Sequence, residues 1–252
     1  MLIRNVLIAI ACSALVAGAA GCGTSGTAPQ DTSSATAAST ASASDPAAGG
    51  HAACDGLGGT IEPDQICHAH TVASSYELDI RFPVEYPDLA PVTDFVAQTQ
   101  EEWTATAQTS PPQNRRPYLL AIAGTAYLSG TPESGTRSVV LAMNSDFGAH
   151  PVSSFKAFNY DLTKRAPITF DALFKPGSDP LQVLSPIVKR ELEKRGATVE
   201  APFDNPGVEA YQNFAITDDA VIFFFAQGQM LPQVAGPQRI SVPRTEIESL
   251  LG

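Results

Sequence analysis

Tyr76-Glu77-Leu78-Asp79-Ile80-Arg81-Phe82 alternates apolar and polar residues without a break, the period of two that belongs to a half-buried strand. Pro83 and Pro87 stop it. Asp88 then precedes Leu89, Val92, Phe95, Val96, Thr99 and Trp103, which recur at helical spacing with Pro91 in the first turn. Beyond the prolines at 111, 112 and 117, the pattern predicts strands at Tyr118 to Leu128, Arg137 to Ser145 and Ser154 to Tyr160. A short strand from Pro167 to Phe170 and a helical turn from Asp171 to Phe174 follow. Asp179, Pro180 and the apolar face Leu181, Leu184, Ile187, Val188 and Leu192 predict a second long helix, which Gly196 stops. Pro186 inside it predicts a kink or a later start. A hairpin (Asn213 to Thr217, Ala220 to Ala226), a strand at Arg239 to Val242 and a capping box of Thr245 with Glu248 close the chain. Phe223, Phe224 and Phe225 run together, so their strand is expected to be covered on both faces. Strands and helices in this order give an α+β domain, with a mainly antiparallel sheet and two main helices.

The first residues are of another kind. Arg4 is the only charge before the apolar run from Val6 to Ala20, a pattern that reads as a signal peptide over 1–21. Ala19-Ala20-Gly21-Cys22 resembles a lipobox, in which Cys22 receives the lipid; Ala19 departs from its preferred Leu. Cleavage after Ala19 is the alternative and would leave Cys22 as an odd thiol. Cysteine counting favours acylation. Cys12 leaves with the signal, and an acylated Cys22 leaves Cys54 and Cys67 as an even pair for a disulfide outside the cytoplasm. From Gly23 to Ala53 there is no Leu, Ile, Val, aromatic residue, Lys or Arg. Residues 22–53 are therefore expected to be a lipidated, disordered tether, bare or glycosylated, ahead of one domain over 54–252 with halves 54–165 and 166–252.

The formal net charge is −11, and loss of Arg4 with the signal makes the mature chain more negative still. This opposes nucleic acid as a partner and favours a cationic protein. The membrane would be met through the lipid alone.

Candidate chemistry is sparse. His150 stands near Asp146, Ser153 and Ser154, the residue types of an acyl-transfer triad. Gly148 and Pro151 flank it, though, as in a turn, and no Gly-x-Ser-x-Gly elbow occurs. His68 and His70 would share one face of a strand, half of a metal site with no third ligand signposted. No metal and no cofactor is expected. Trp103, the one Trp, sits on the apolar helix face and reads as core. Met230 and Leu231 fall in a loop between hairpin and last strand, and read as exposed apolar contacts for a partner.

Several motifs together carry a family resemblance. Tyr86-Pro87-Asp88, Gly148-Ala149-His150-Pro151, Tyr160-Asp161, Pro167-Ile168-Thr169-Phe170-Asp171 and Asp179-Pro180-Leu181 come first. Tyr211-Gln212-Asn213-Phe214-Ala215, Val221 to Phe225, Leu231-Pro232, Ala235-Gly236-Pro237 and Val242-Pro243-Arg244 complete the set. From Cys54 onward the chain resembles the secreted mycobacterial immunogen family. Its C-terminal half is similar to the extracellular lysozyme-binding domain of RsiV-type anti-sigma factors. The resemblance implies a β-grasp-like fold, a surface-exposed antigen without catalytic residues, and lysozyme as a partner to try. The rival expectation is a cell-wall esterase using Ser153 or Ser154 with His150.

Overall fold

The computed structural model describes residues 46–110, 112, 116–198 and 206–252. The chain enters through α1 (Pro46–Gly56), β1 (Thr60–Ile61) and β2 (Ile66–Val72), and the alternating stretch follows as β3 (Tyr76–Pro83). Leu78, Ile80 and Phe82 are its buried positions. The helix α2 (Leu89–Thr109) carries the chain across to β4 (Tyr118–Gly130), which lies parallel to β3 with Tyr76 opposite Tyr118. An antiparallel meander of β5 (Gly135–Asp146), β6 (Val152–Asp161) and β7 (Ala166–Pro167) completes a seven-stranded sheet in sequence order. After α3 (Phe170–Leu173) and α4 (Pro180–Lys194) come β8 (Phe214–Ile216), β9 (Ala220–Phe225), β10 (Gln238–Pro243) and α5 (Arg244–Ile247). The last three strands form an antiparallel sheet with β9 in the middle. The domain is α+β and mainly antiparallel, as the periodicity predicts.

Residue alternation turns these elements into four layers. Val92, Val96, Trp103 and Ala107 of α2 pack on Leu78, Ile80, Phe82, Leu120, Ile122, Val139 and Leu141 of the large sheet. On the opposite face Val140 meets Ala215, Ile222 and Phe224 of the small sheet. The other side of the small sheet, with Phe214, Phe223, Phe225, Ile240 and Val242, buries Leu184, Ile187, Val188 and Leu192 of α4. β9 is thus covered twice, which is why Phe223, Phe224 and Phe225 need no polar partner between them. Met230 and Leu231, expected at the surface, are only 3% and 5% exposed and belong to this α4-side core. The loop that holds them turns its apolar side chains inward, where burial removes them from water.

Other differences lie at element ends. The Ala- and Gly-rich stretch before Cys54 is helical from Pro46, so the fold begins inside the expected tether. Small residues permit this: Gly50 lies against Val84, where an added Cβ would come within 3.0 Å. Asp88 and Asp179 precede their helices but make no side-chain capping bond, and neither does Thr245, which lies inside α5. The cap that does form is Thr169, whose hydroxyl accepts from the Ala172 amide at 3.2 Å and starts α3 where the short strand was expected to continue. Pro186 lies inside α4, which runs from Pro180 to Lys194 without a break.

Cys54 and Cys67 form a disulfide, and both are fully buried. It ties α1 to β2 around the turn at Gly59, where a Cβ would meet Cys54 Sγ at 2.9 Å. Closing this loop restricts the unfolded chain, a stabilisation of about 3 kcal/mol by loop entropy. Replacing both cysteines by serine should therefore lower the unfolding free energy by about 2–4 kcal/mol in urea titration of the oxidised domain. An unchanged midpoint would show that α1 is held by packing alone.

Candidate functional site

The edge of β6 is the place to build from. β7 pairs only with Tyr160 and Asp161, leaving most of that edge without a neighbouring strand. Side-chain amides from the small sheet stand in for one. Asn213 Oδ1 accepts from the Ala157 amide at 2.9 Å, and Gln227 accepts from the Ser153 amide through its side-chain Oε1 while its backbone N–H donates to the Ser153 carbonyl. Asn159, 5% exposed, donates its Nδ2 to the Phe214 carbonyl at 2.9 Å, while Ser138 Oγ accepts from the Ile216 amide at 3.2 Å. Phe214 and Ile216 point these groups away from β9, so the two side chains satisfy the outer edge of β8.

This seam floors a cavity of about 460 Å³, inside the usual size range of small-molecule sites. Tyr86, Asp88 and Pro91 close it from the entry to α2, and Pro167, Ile168, Thr169 and Phe170 from the entry to α3. Gln212, Asn213 and Phe214 close it from the entry to β8, with Lys156 to Asn159 along the strand. Burial, then the nearby Asp88 carboxylate and Tyr160, push the Tyr86 hydroxyl far above its ordinary range, so it is a neutral donor at any physiological pH. The Asn159 Oδ1 is buried and has no partner. Its identity as oxygen follows from its neighbour: the Phe214 carbonyl can only accept, so the amide nitrogen must face it. Four motif segments, at 86–88, at 167–171, at 211–215 and beside 160–161, therefore meet around one cavity.

The residues expected to act together do not gather. Asp146 ends β5 and accepts from the Gly148 amide at 2.7 Å, and His150 is exposed in the following turn. Ser153 lies opposite Asn144 and Ser154 opposite Met143, so they point to opposite faces of the sheet. Among the described residues no hydrogen bond joins His150 to Asp146, Ser153 or Ser154. His68 and His70 do share a face, with ring centroids 6.1 Å apart. His68 lies 3.1 Å from Glu62 and 3.2 Å from Asp79, His70 lies 3.2 Å from Glu77, and Arg81 reaches the same carboxylates as His68. The group is a surface ion-pair array. Trp103 is core, its indole donating to Ser145 Oγ at 2.8 Å. Cys22 lies outside the described residues.

A buried serine that the pattern did not signal is Ser129, at the end of β4. Its hydroxyl donates to Asp218 Oδ1 at 3.0 Å and lies 3.3 Å from Arg244 Nη1. The same carboxylate oxygen accepts from the Gly130 amide at 2.8 Å. These bonds, the amide first, hold Asp218 below the ordinary carboxylate range, so it is a weak base. The arrangement clamps the β8–β9 turn to the β4–β5 hairpin.

Comparison with known proteins fits this architecture. The family described as a protein of unknown function (DUF3298) matches residues 171–245. A solved DUF3298 family protein from Pseudomonas aeruginosa PAO1 superposes with a TM-score of 0.52 at 13% identity, over 76% of this chain and 96% of that one, a likeness of fold. Esterase Rv3036c of Mycobacterium tuberculosis is 46% identical over 208 residues, 81% of this chain and 91% of the relative. The immunogenic protein MPT64 of the same organism is 39% identical over 201 residues, 79% of this chain and 87% of that one. At such identity over nearly the whole of each relative, the chain belongs to the family of the mycobacterial immunogenic protein MPT64.

Proposed function

We propose that the chain is exported, held at the outer face of the cell membrane through an acylated Cys22, and works there as a binding module and not as a turnover catalyst. The observation that carries this reading is the cavity on β6. Motif segments far apart in sequence converge on it, and its lining combines aromatic and amide residues with no serine, cysteine or histidine. Such a lining suits recognition, and it lacks the Ser–His or Cys–His pair of acyl transfer. The net charge of −11 supports a cationic protein as the macromolecular partner, drawn in by long-range attraction. Lysozyme is the first to try, from the resemblance of the C-terminal half to the anti-sigma domain.

A second reading, an esterase, is favoured by the 46% identity to a protein named as one. Since Ser153 and Ser154 face opposite ways, only one of them could serve His150, and the turn at 147–151 would have to close on it.

Three outcomes are expected. Globomycin should accumulate the uncleaved precursor, and Cys22→Ala should release the protein from the membrane; a mature N-terminus at Ala20 would refute the anchor. The purified domain should hold lysozyme at 0.15 M salt, where the screening length has fallen to about 8 Å. Binding confined to low salt would reduce the interaction to nonspecific acidity. On short acyl esters the domain should show no saturable turnover. Turnover lost in His150→Ala, and in one of Ser153→Ala and Ser154→Ala but not the other, would establish the esterase instead.

A further inference from the structure

We infer that a cationic protein docks on the outer face of α2 and the groove between α1 and α2. The inference rests on the cationic-partner reading above and names the surface that such a partner meets. Negative charge is unevenly placed along the chain. Between Pro46 and Ser110 stand ten Asp and Glu residues against one Arg, Arg81, and no Lys, which leaves −9 of the net −11 on that stretch. From Arg116 to the last residue, fourteen acids meet twelve Lys and Arg, a balance of −2. Long-range attraction of a basic partner is therefore directed at the first part of the domain.

Ion pairing narrows the surface further. On the face of the large sheet turned away from α2, Glu62, Glu77 and Asp79 each lie within 3.5 Å of a His68, His70 or Arg81 nitrogen. In the C-terminal half, Glu191, Glu193 and Glu246 are paired with Lys189, Arg190 and Lys194. Asp55 of α1 and Asp94, Glu101 and Glu102 of α2 are exposed, and among the described residues no basic side chain forms an ion pair with them. The 21 residues of α2 include no Lys or Arg. Val92, Val96, Trp103 and Ala107 turn toward the sheet, so the acids stand on the uncovered side of the helix. Lys156 lies over the Phe95 ring near the start of α2, which makes the second half, with Glu101 and Glu102, the more negative.

The groove beside this half has a matching shape. It is an open cavity of about 370 Å³ between α1 and α2. Gly56, Ala97 and Ala105, all exposed, give it small apolar walls, and Glu101 stands in its lining. A lysine or arginine side chain fits both parts, its carbon stem against the alanines and its charged head at the carboxylate. A second copy of this acidic chain or an anionic membrane would be repelled, and a neutral peptide gains nothing from Glu101.

The test times the approach and then maps the contact. Association of the folded domain with lysozyme, and with cytochrome c as a second cationic protein, is followed at an ionic strength of about 0.01 M, where the screening length is about 30 Å. Glu101→Lys with Glu102→Lys should slow it about tenfold. Glu209→Lys with Glu248→Lys changes the net charge equally at exposed sites of the C-terminal half, and should slow it by less than about threefold. Lysine is a good helix former, so the α2 variant should melt with the parent. Carbodiimide cross-linking should join partner lysines to Asp94, Glu101 or Glu102. Equal slowing by the two pairs, cross-links confined to 166–252, or no association with either protein would overturn the inference. The binding-module reading fails separately, if lysozyme binding is lost at 0.15 M salt while the low-salt approach still runs through α2.

Discussion

The outer edge of β8 is the constraint on which the rest of the domain depends. β8 ends a three-stranded sheet, so one row of its backbone groups has no strand to pair with. Yet that row lies in the interior, against a second sheet, where an unpaired amide or carbonyl costs about 1–3 kcal/mol. Asn159 and Ser138 meet the two groups from β6 and β5, and Asn213 returns the exchange by bonding the Ala157 amide on the free edge of β6. Each sheet thereby finishes the hydrogen bonding of the other. The apolar contact of Val140 with Ala215, Ile222 and Phe224 supplies attraction without direction. The polar pairs fix the register in which that contact is made.

From this register follows the position of the cavity. Asn213 can reach Ala157 only if the approach to β8 passes beside β6, which brings Gln212 and Phe214 next to the strand. β7 is too short to fill the space, and the chain leaves it at Ile168, whose amide donates to the Asn159 carbonyl. Thr169 then starts α3 and turns the chain away. At the opposite end of the same seam, Asp218 grips Ser129 and Gly130. The seam is thus anchored at both ends by short polar side chains, and the space left beside its middle is the candidate site.

Much of the fold is legible in the sequence because it is written as period. The alternation at 76–82, the helical faces of α2 and α4 and the triple Phe of β9 each state an element and its buried side, and packing agrees with all of them. Two kinds of feature are not written that way. Helix α1 packs through Gly50, Cys54 and Leu57, so a stretch without branched or aromatic residues still orders once the disulfide and Val84 hold it. A tertiary staple supplies there what composition lacks. Met230 and Leu231 look exposed because they sit in a loop, and no local period tells which way a loop turns. The candidate site was hidden for a related reason. Its parts are amides and rings from four segments, none of which has a chemical signature alone, whereas His150 with its neighbouring serines has the signature and lacks the assembly.

Asn159 shows how strictly the seam between the sheets selects its residues. Its amide nitrogen is required at the Phe214 carbonyl, since an aliphatic residue there would leave that carbonyl orphaned in the seam. A serine would be too short to span from one sheet to the other while keeping the volume filled, and an aspartate has no donor. The seam therefore selects an amide for its nitrogen, and the oxygen comes with it. That oxygen has no protein partner and is shut off from solvent. Joining two sheets through a side-chain amide thus leaves one acceptor orphaned at the join, a cost of about 1–3 kcal/mol set against the carbonyl that the same side chain satisfies.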